Sequence, residues 1–146
     1  MEQYKIKAEE LFRKGYNCAQ AVVAAFLGED SELLKLAAPF GGGMGRMRLV
    51  CGAVSGMFMV TGHYCGYDDP AAAKEKRDLY EMEQTLAARF TEQCGSIICG
   101  ELLGTTDTNP NPERRTAAYY QKRPCVELVG VAADILSDFL QEQGIL

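Results

Sequence analysis

The sequence predicts an all-α fold, a compact bundle of about six to seven helices with no sheet. Three observations lead there. Apolar residues recur at spacings of three and four through most of the 146 residues, no segment alternates apolar and polar residues over a strand's length, and the turn-forming residues fall between the periodic stretches. With 47% hydrophobic and 24% charged residues the chain can bury one core, so residues 1–146 read as a single domain. No fixed-period repeat is evident.

Residues 2–14 place Tyr4, Ala8, Leu11 and Phe12 on one helical face, and Gly15 supplies a stop. Asn17 is a candidate cap for a second helix over 18–27, which is apolar nearly all round and is therefore predicted to be buried. A short helix over 31–38 should end at Pro39. The run Gly41-Gly42-Gly43-Met44-Gly45-Arg46 is too rich in glycine for regular structure. It precedes a long helix over about 48–64, where Gly52, Ala53 and Gly56 form a thin face open to close approach by another backbone.

Asp69 and Pro70 read as a cap and a first helical residue, with Leu79, Met82, Leu86 and Phe90 as the buried stripe of a helix reaching about residue 93. Its other face, with Lys74, Lys76, Arg77, Glu81 and Glu83, reads as solvated surface. Ser96 is a candidate cap for a short helix through 103, residues 105–112 form a Thr-, Asn-, Asp- and Pro-rich loop, and 114–121 is a further helical segment. Pro124 opens a C-terminal helix to about residue 143, marked by Val126, Val129, Ala133, Leu136 and Leu140.

A net charge of -5, with Lys and Arg interspersed among Asp and Glu, argues against a nucleic-acid partner. Residues 1–13 lack the pattern of a signal peptide, so a cytoplasmic location is expected. No membrane span is expected either, because the longest apolar tract, residues 49–61, is interrupted by glycine and too short. The abundant apolar helices make a homodimer conceivable without locating its interface.

Six cysteines, at 18, 51, 65, 94, 99 and 125, suit metal or redox chemistry in a reducing compartment better than a static disulfide framework. The plain alternative for any one of them is a small core hydrophobe. Helix polarity divides the set. Cys18, Cys51, Cys99 and Cys125 fall in predicted first turns, where free N–H groups and the helix dipole favour a thiolate; Cys65 and Cys94 fall at predicted C-terminal ends, before Gly66 and Gly95. If the four first-turn sulfurs converge, dipoles alone cannot hold them as bare thiolates. Two unit charges about 6 Å apart repel by roughly 3 kcal/mol at an effective dielectric near 20, against about 0.3–2 kcal/mol returned by a helix dipole. Such a site must bind a metal or iron–sulfur centre, form disulfides, or keep some sulfurs protonated. No C-x-x-C knuckle exists, which removes the usual local signature of structural zinc.

The core Cys51-Gly52-Ala53-Val54-Ser55-Gly56, preceded by the glycine loop, resembles the motif of a family of small bacterial and archaeal redox-active proteins labelled by the cysteine pattern C, GCAxxG, C, C, also written CGAxxG. Asn17-Cys18-Ala19-Gln20 resembles the family's first cysteine block, the run from Gly95 to Leu103 containing Cys99 its third, and Cys125 after Pro124 its fourth, so the likeness spans nearly the whole chain. Cys65 and Cys94 lie outside that pattern. The family is similar to a domain of split-Soret cytochromes, which implies a two-iron cluster, [2Fe–2S], on Cys18, Cys51, Cys99 and Cys125. This chain lacks a C-x-x-C-H haem attachment motif, so covalent haem is not expected, and the redox partner is unknown.

Other residues read more plainly. His63, the single histidine, is expected to face a helix C-terminus or solvent. Arg46 and Arg48 could lower nearby thiol pKa values, with surface solvation as the simpler expectation. Met44, Met47, Met57 and Met59 read as core filler, and Asp107 and Asn109 show no metal spacing. The expected function is redox chemistry or electron transfer at an iron–sulfur cluster; the alternatives are a metal-free dithiol/disulfide exchanger and a structural zinc module.

Overall fold

The computed structural model describes residues 2–146, with side chains from Gln3 onward. Among the described residues eight α-helices form: α1 Glu2–Lys14, α2 Cys18–Leu27, α3 Ser31–Ala37, α4 Gly52–Cys65, α5 Ala73–Cys94, α6 Cys99–Leu103, α7 Ala117–Lys122 and α8 Cys125–Glu142. That is one more than the expected range, because the short α6 and α7 both form. A 3-10 turn, Ala38–Phe40, continues from α3 through Pro39. Among the described residues there is no strand; one isolated antiparallel bridge pairs Val50 with Ile98.

The core is built around α2, which packs against α1, α3, α4 and α8. Its all-round apolar surface has no polar face to offer water, and Ala19, Ala21, Val22 and Ala24 are fully buried. The thin face of α4 meets it directly. A Cβ placed on Gly56 would stand 2.8 Å from Val22 Cβ and 3.0 Å from the Ala19 carbonyl, so only glycine permits this approach. Helix α8 lies along α1, and its stripe of Val129, Ala132, Ala133, Leu136 and Leu140 is buried.

Helix α5 is peripheral: of its 22 residues, Leu86 and Phe90 are buried, and Arg89 fastens it to the end of α8 through two hydrogen bonds to Glu142, 3.0 and 2.7 Å. Several helix starts differ from expectation: α6 begins at Cys99 with Ile98, not Ser96, at its cap, and α7 begins at Ala117, capped by Thr116. Helix α5 begins at Ala73 because the Asp69 carboxylate accepts from Ala71 N–H and spends its capping capacity on a turn. Helix α4 begins at Gly52 because Arg48 is left-handed, at φ 61°, and Cys51 is extended. No described helix is long and apolar enough to cross a membrane.

Candidate functional site

Each of Cys18, Cys51, Cys99 and Cys125 stands at a helix start: the first residue of α2, the cap position of α4, and the first residues of α6 and α8. The start of α2 is fixed locally, and those of α4 and α6 by pairing between distant segments. Asn17 and Gln20 form a reciprocal capping box ahead of α2, with Asn17 Oδ1 accepting from Gln20 N–H at 3.0 Å and Gln20 Oε1 accepting from Asn17 N–H at 3.1 Å. Cys51 and Cys99 are joined through backbone: Cys51 N–H donates to Ile97 O at 2.7 Å, Cys99 N–H to Leu49 O at 2.6 Å, and Gly100 N–H to Arg48 O at 3.1 Å. This pairing is too short to show as strand alternation in the sequence.

The four side chains line one cavity of about 240 Å³. Cys65 and Cys94 do not line it; they sit partly exposed at the C-terminal ends of α4 and α5. His63 is exposed and contacts the Tyr64 ring. Met57 is core filler as expected, whereas Met47 is exposed.

Glycines bring the backbone up against the sulfurs. A Cβ on Gly43 would lie 2.5 Å from Cys99 Cβ and 2.8 Å from Leu49 N, and one on Gly52 would lie 3.0 Å from Cys18 Cβ. Around Gly43 the chain winds left-handed, with Gly42 and Gly45 at φ 67° and, more unusually, Met44, Arg46 and Arg48 at 66°, 63° and 61°. A non-glycine residue held there costs on the order of 1–3 kcal/mol, and such strain persists only where surrounding contacts enforce it.

The expectation that helix starts make all four sulfurs acidic is corrected by burial. At Cys51 desolvation pushes the thiol up to about 12, although the N–H groups of Ala53 and Val54 favour its thiolate. A dipole worth at most about 2 kcal/mol loses to removal of the anion from water. Cys18 and Cys125 titrate as a pair. The Cys18 thiol donates a hydrogen bond to Cys125 sulfur, which raises Cys18 well above the thiol range and lowers Cys125 despite its burial. Arg123, a hydrogen bond from Tyr119 and Arg115 also favour the Cys125 thiolate.

Four arginines line the cavity: Arg46, Arg48, Arg115 and Arg123. Arg48 was expected to be solvated, and it is instead 6% exposed. Its Nε donates to Asp107 O at 2.8 Å, Nη1 lies 3.7 Å from Cys99 Sγ, and Nη2 is buried without a hydrogen-bond partner. Arg46 Nε donates to Asn109 O at 2.6 Å, so Asp107 and Asn109 serve as backbone anchors for the two arginines. Arg123 is paired with Glu113 at 2.5 Å. Arg115 donates to the Phe12 and Tyr16 carbonyls at the end of α1, 2.8 and 3.0 Å, and stacks on the Phe12 ring. A cation about 4 Å from a thiolate returns about 4 kcal/mol at an effective dielectric near 20, which a single dipole cannot.

Sequence reasoning did not single out Arg115, Arg123, Tyr119 or Glu113. Arg123 was findable from its place two residues before Cys125, by the logic applied to Arg48; Arg115 reaches the cavity only through tertiary packing. Among the described residues, no group of three or more His, Cys, Asp or Glu side chains is gathered so as to hold a metal ion. The four cysteines all stand on the walls of this one cavity. The donor set and surrounding arginines are chemically compatible with an iron–sulfur centre.

A family described as "Putative redox-active protein (C_GCAxxG_C_C)" matches residues 16–139, a span that contains all four of these cysteines. No curated protein and no solved structure matches the chain. The expected similarity to split-Soret cytochromes is not shown by these comparisons.

Proposed function

The chain belongs to this redox-active family, and from that premise we propose that it carries an iron–sulfur cluster, a two-iron one, on Cys18, Cys51, Cys99 and Cys125, and serves electron transfer or small redox chemistry. One observation carries the reading: four sulfurs from four separate helix starts line a single cavity. When bound, the cluster would supply a one-electron couple. The residues around it have their own work. Cys51 and Cys99 are held in register by their backbone pairing, Arg48 and Arg115 supply positive charge, and the buried walls limit water. Six free cysteines accord with a cytoplasmic, reducing location.

The test is anaerobic purification and reconstitution with ferrous iron and sulfide, read by iron and sulfide per chain and by visible absorption. Stoichiometric iron and sulfide with charge-transfer bands are expected. A colourless, iron-free product after reconstitution refutes the reading.

The hydrogen-bonded Cys18–Cys125 pair favours a second reading, dithiol/disulfide exchange. The Cys125 thiolate attacks a partner's disulfide and releases one partner thiolate, which takes up the Cys18 proton; the Cys18 thiolate then attacks the Cys125 sulfur of the mixed disulfide and releases the other partner thiolate. The partner disulfide is thereby reduced by two electrons as Cys18–Cys125 is oxidised. Peptide mass spectrometry after oxidation should find that crosslink, and its absence refutes this reading.

A further inference from the structure

Arg48 combines three features that ordinary packing does not require. It is a non-glycine residue at φ 61°, the residue is only 6% exposed, and its buried Nη2 has no hydrogen-bond partner while Nη1 faces Cys99 Sγ at 3.7 Å. Its position is coupled to the cysteines twice over. Its carbonyl accepts from Gly100 N–H, beside Cys99, and it lies three residues before Cys51. Burying a guanidinium with a free donor is unfavourable unless a site supplies an acceptor. Neither the Asp107 carbonyl nor the Cys99 sulfur contact engages the two N–H groups of Nη2.

We propose that Arg48 is a positioning and potential-setting residue of the site, its Nη2 donating to a sulfur of the anionic group that the cavity holds. This deepens the iron–sulfur reading and rests on it. A fixed cation beside a redox centre favours the state with one more electron, so Arg48 raises the reduction potential. Lysine keeps the charge but loses the planar fork that can address Cys99 and a second acceptor together.

The experiment compares wild type, Arg48→Met and Arg48→Lys after anaerobic reconstitution. Three quantities are read: iron and sulfide per chain, the reduction midpoint, and the thermal midpoint before and after loading. All three proteins should load, because the four cysteines remain. Arg48→Met should shift the one-electron equilibrium at least tenfold toward the oxidised form, a fall of about 59 mV, with Arg48→Lys between it and wild type. Loading should raise the thermal midpoint of Arg48→Met less than that of wild type, whereas the unloaded Arg48→Met protein should melt no lower than unloaded wild type. A purely structural arginine would instead lower loaded and unloaded midpoints alike and leave the potential unchanged. If the loaded variants match wild type in potential and in stabilisation by loading, this assignment is overturned and the cluster reading stands. If wild type itself takes up no iron or sulfide, the cluster reading fails and takes the assignment with it.

Discussion

The close contact between α2 and α4 can be tested with three glycine-to-alanine substitutions in one helix. Gly62 has nothing within 4 Å of where its Cβ would stand, so Gly62→Ala should gain the helix propensity of alanine over glycine, about 0.5–1 kcal/mol. At Gly56 the same gain is opposed by a Cβ 2.8 Å from Val22 Cβ and 3.0 Å from a carbonyl oxygen, atoms that cannot rotate away. Overpacking of this kind costs about 1–3 kcal/mol, so Gly56→Ala should lose on the order of 1–2 kcal/mol net. Gly52→Ala meets Phe40 O at 2.9 Å, Cys18 Cβ at 3.0 Å and Ala19 N at 3.1 Å, so it should be destabilised and should also displace Cys18 and reduce iron uptake. Urea denaturation of the cluster-free, reduced proteins measures all three: the midpoint should rise for Gly62→Ala and fall for the other two at unchanged slope. Gly56→Ala proving as stable as Gly62→Ala would refute the claimed backbone-level contact.

Three further outcomes are expected. Replacing Cys18, Cys51, Cys99 or Cys125 by serine should sharply reduce iron retention, while Cys65→Ser and Cys94→Ser should leave it largely intact; equal losses across all six would contradict the division. In cluster-free protein, peptide-resolved alkylation of Cys125 should level off at a lower pH than that of Cys65 or Cys94, because its hydrogen bond from Cys18 and nearby arginines favour the thiolate while burial raises the other two. Cys18→Ala should move the Cys125 profile toward theirs, and parallel profiles in the unsubstituted protein would count against the pairing. Asn17→Ala removes the α2 cap and the 3.0 Å bond to Ala38 O, so chemical denaturation should show a loss of about 1–2 kcal/mol.

The helices were legible where their signals were local. Gly15, Asn17 and Gly28 bracket α1 and α2 as their chemistry suggests, and the predicted first turns hold the four cysteines that stand at helix starts. Starts were misplaced at 48–51 and 70–72, where left-handed backbone or an Asx turn intervened, and at 96–98 and 114–116, where the helix begins two or three residues later than its composition suggests. The Val50–Ile98 bridge left no pattern because a single pair has no alternation to read.

By itself the sequence determined that the chain is helical, that α2 is buried, and which four cysteines stand at helix N-termini, because periodicity and capping depend on residues within a turn or two of one another. Tertiary structure alone decided which of those sulfurs is acidic and which arginines reach them. Desolvation at Cys51, the shared proton of Cys18 and Cys125, and the burial of Arg48 all depend on groups that are distant along the chain and meet only after folding.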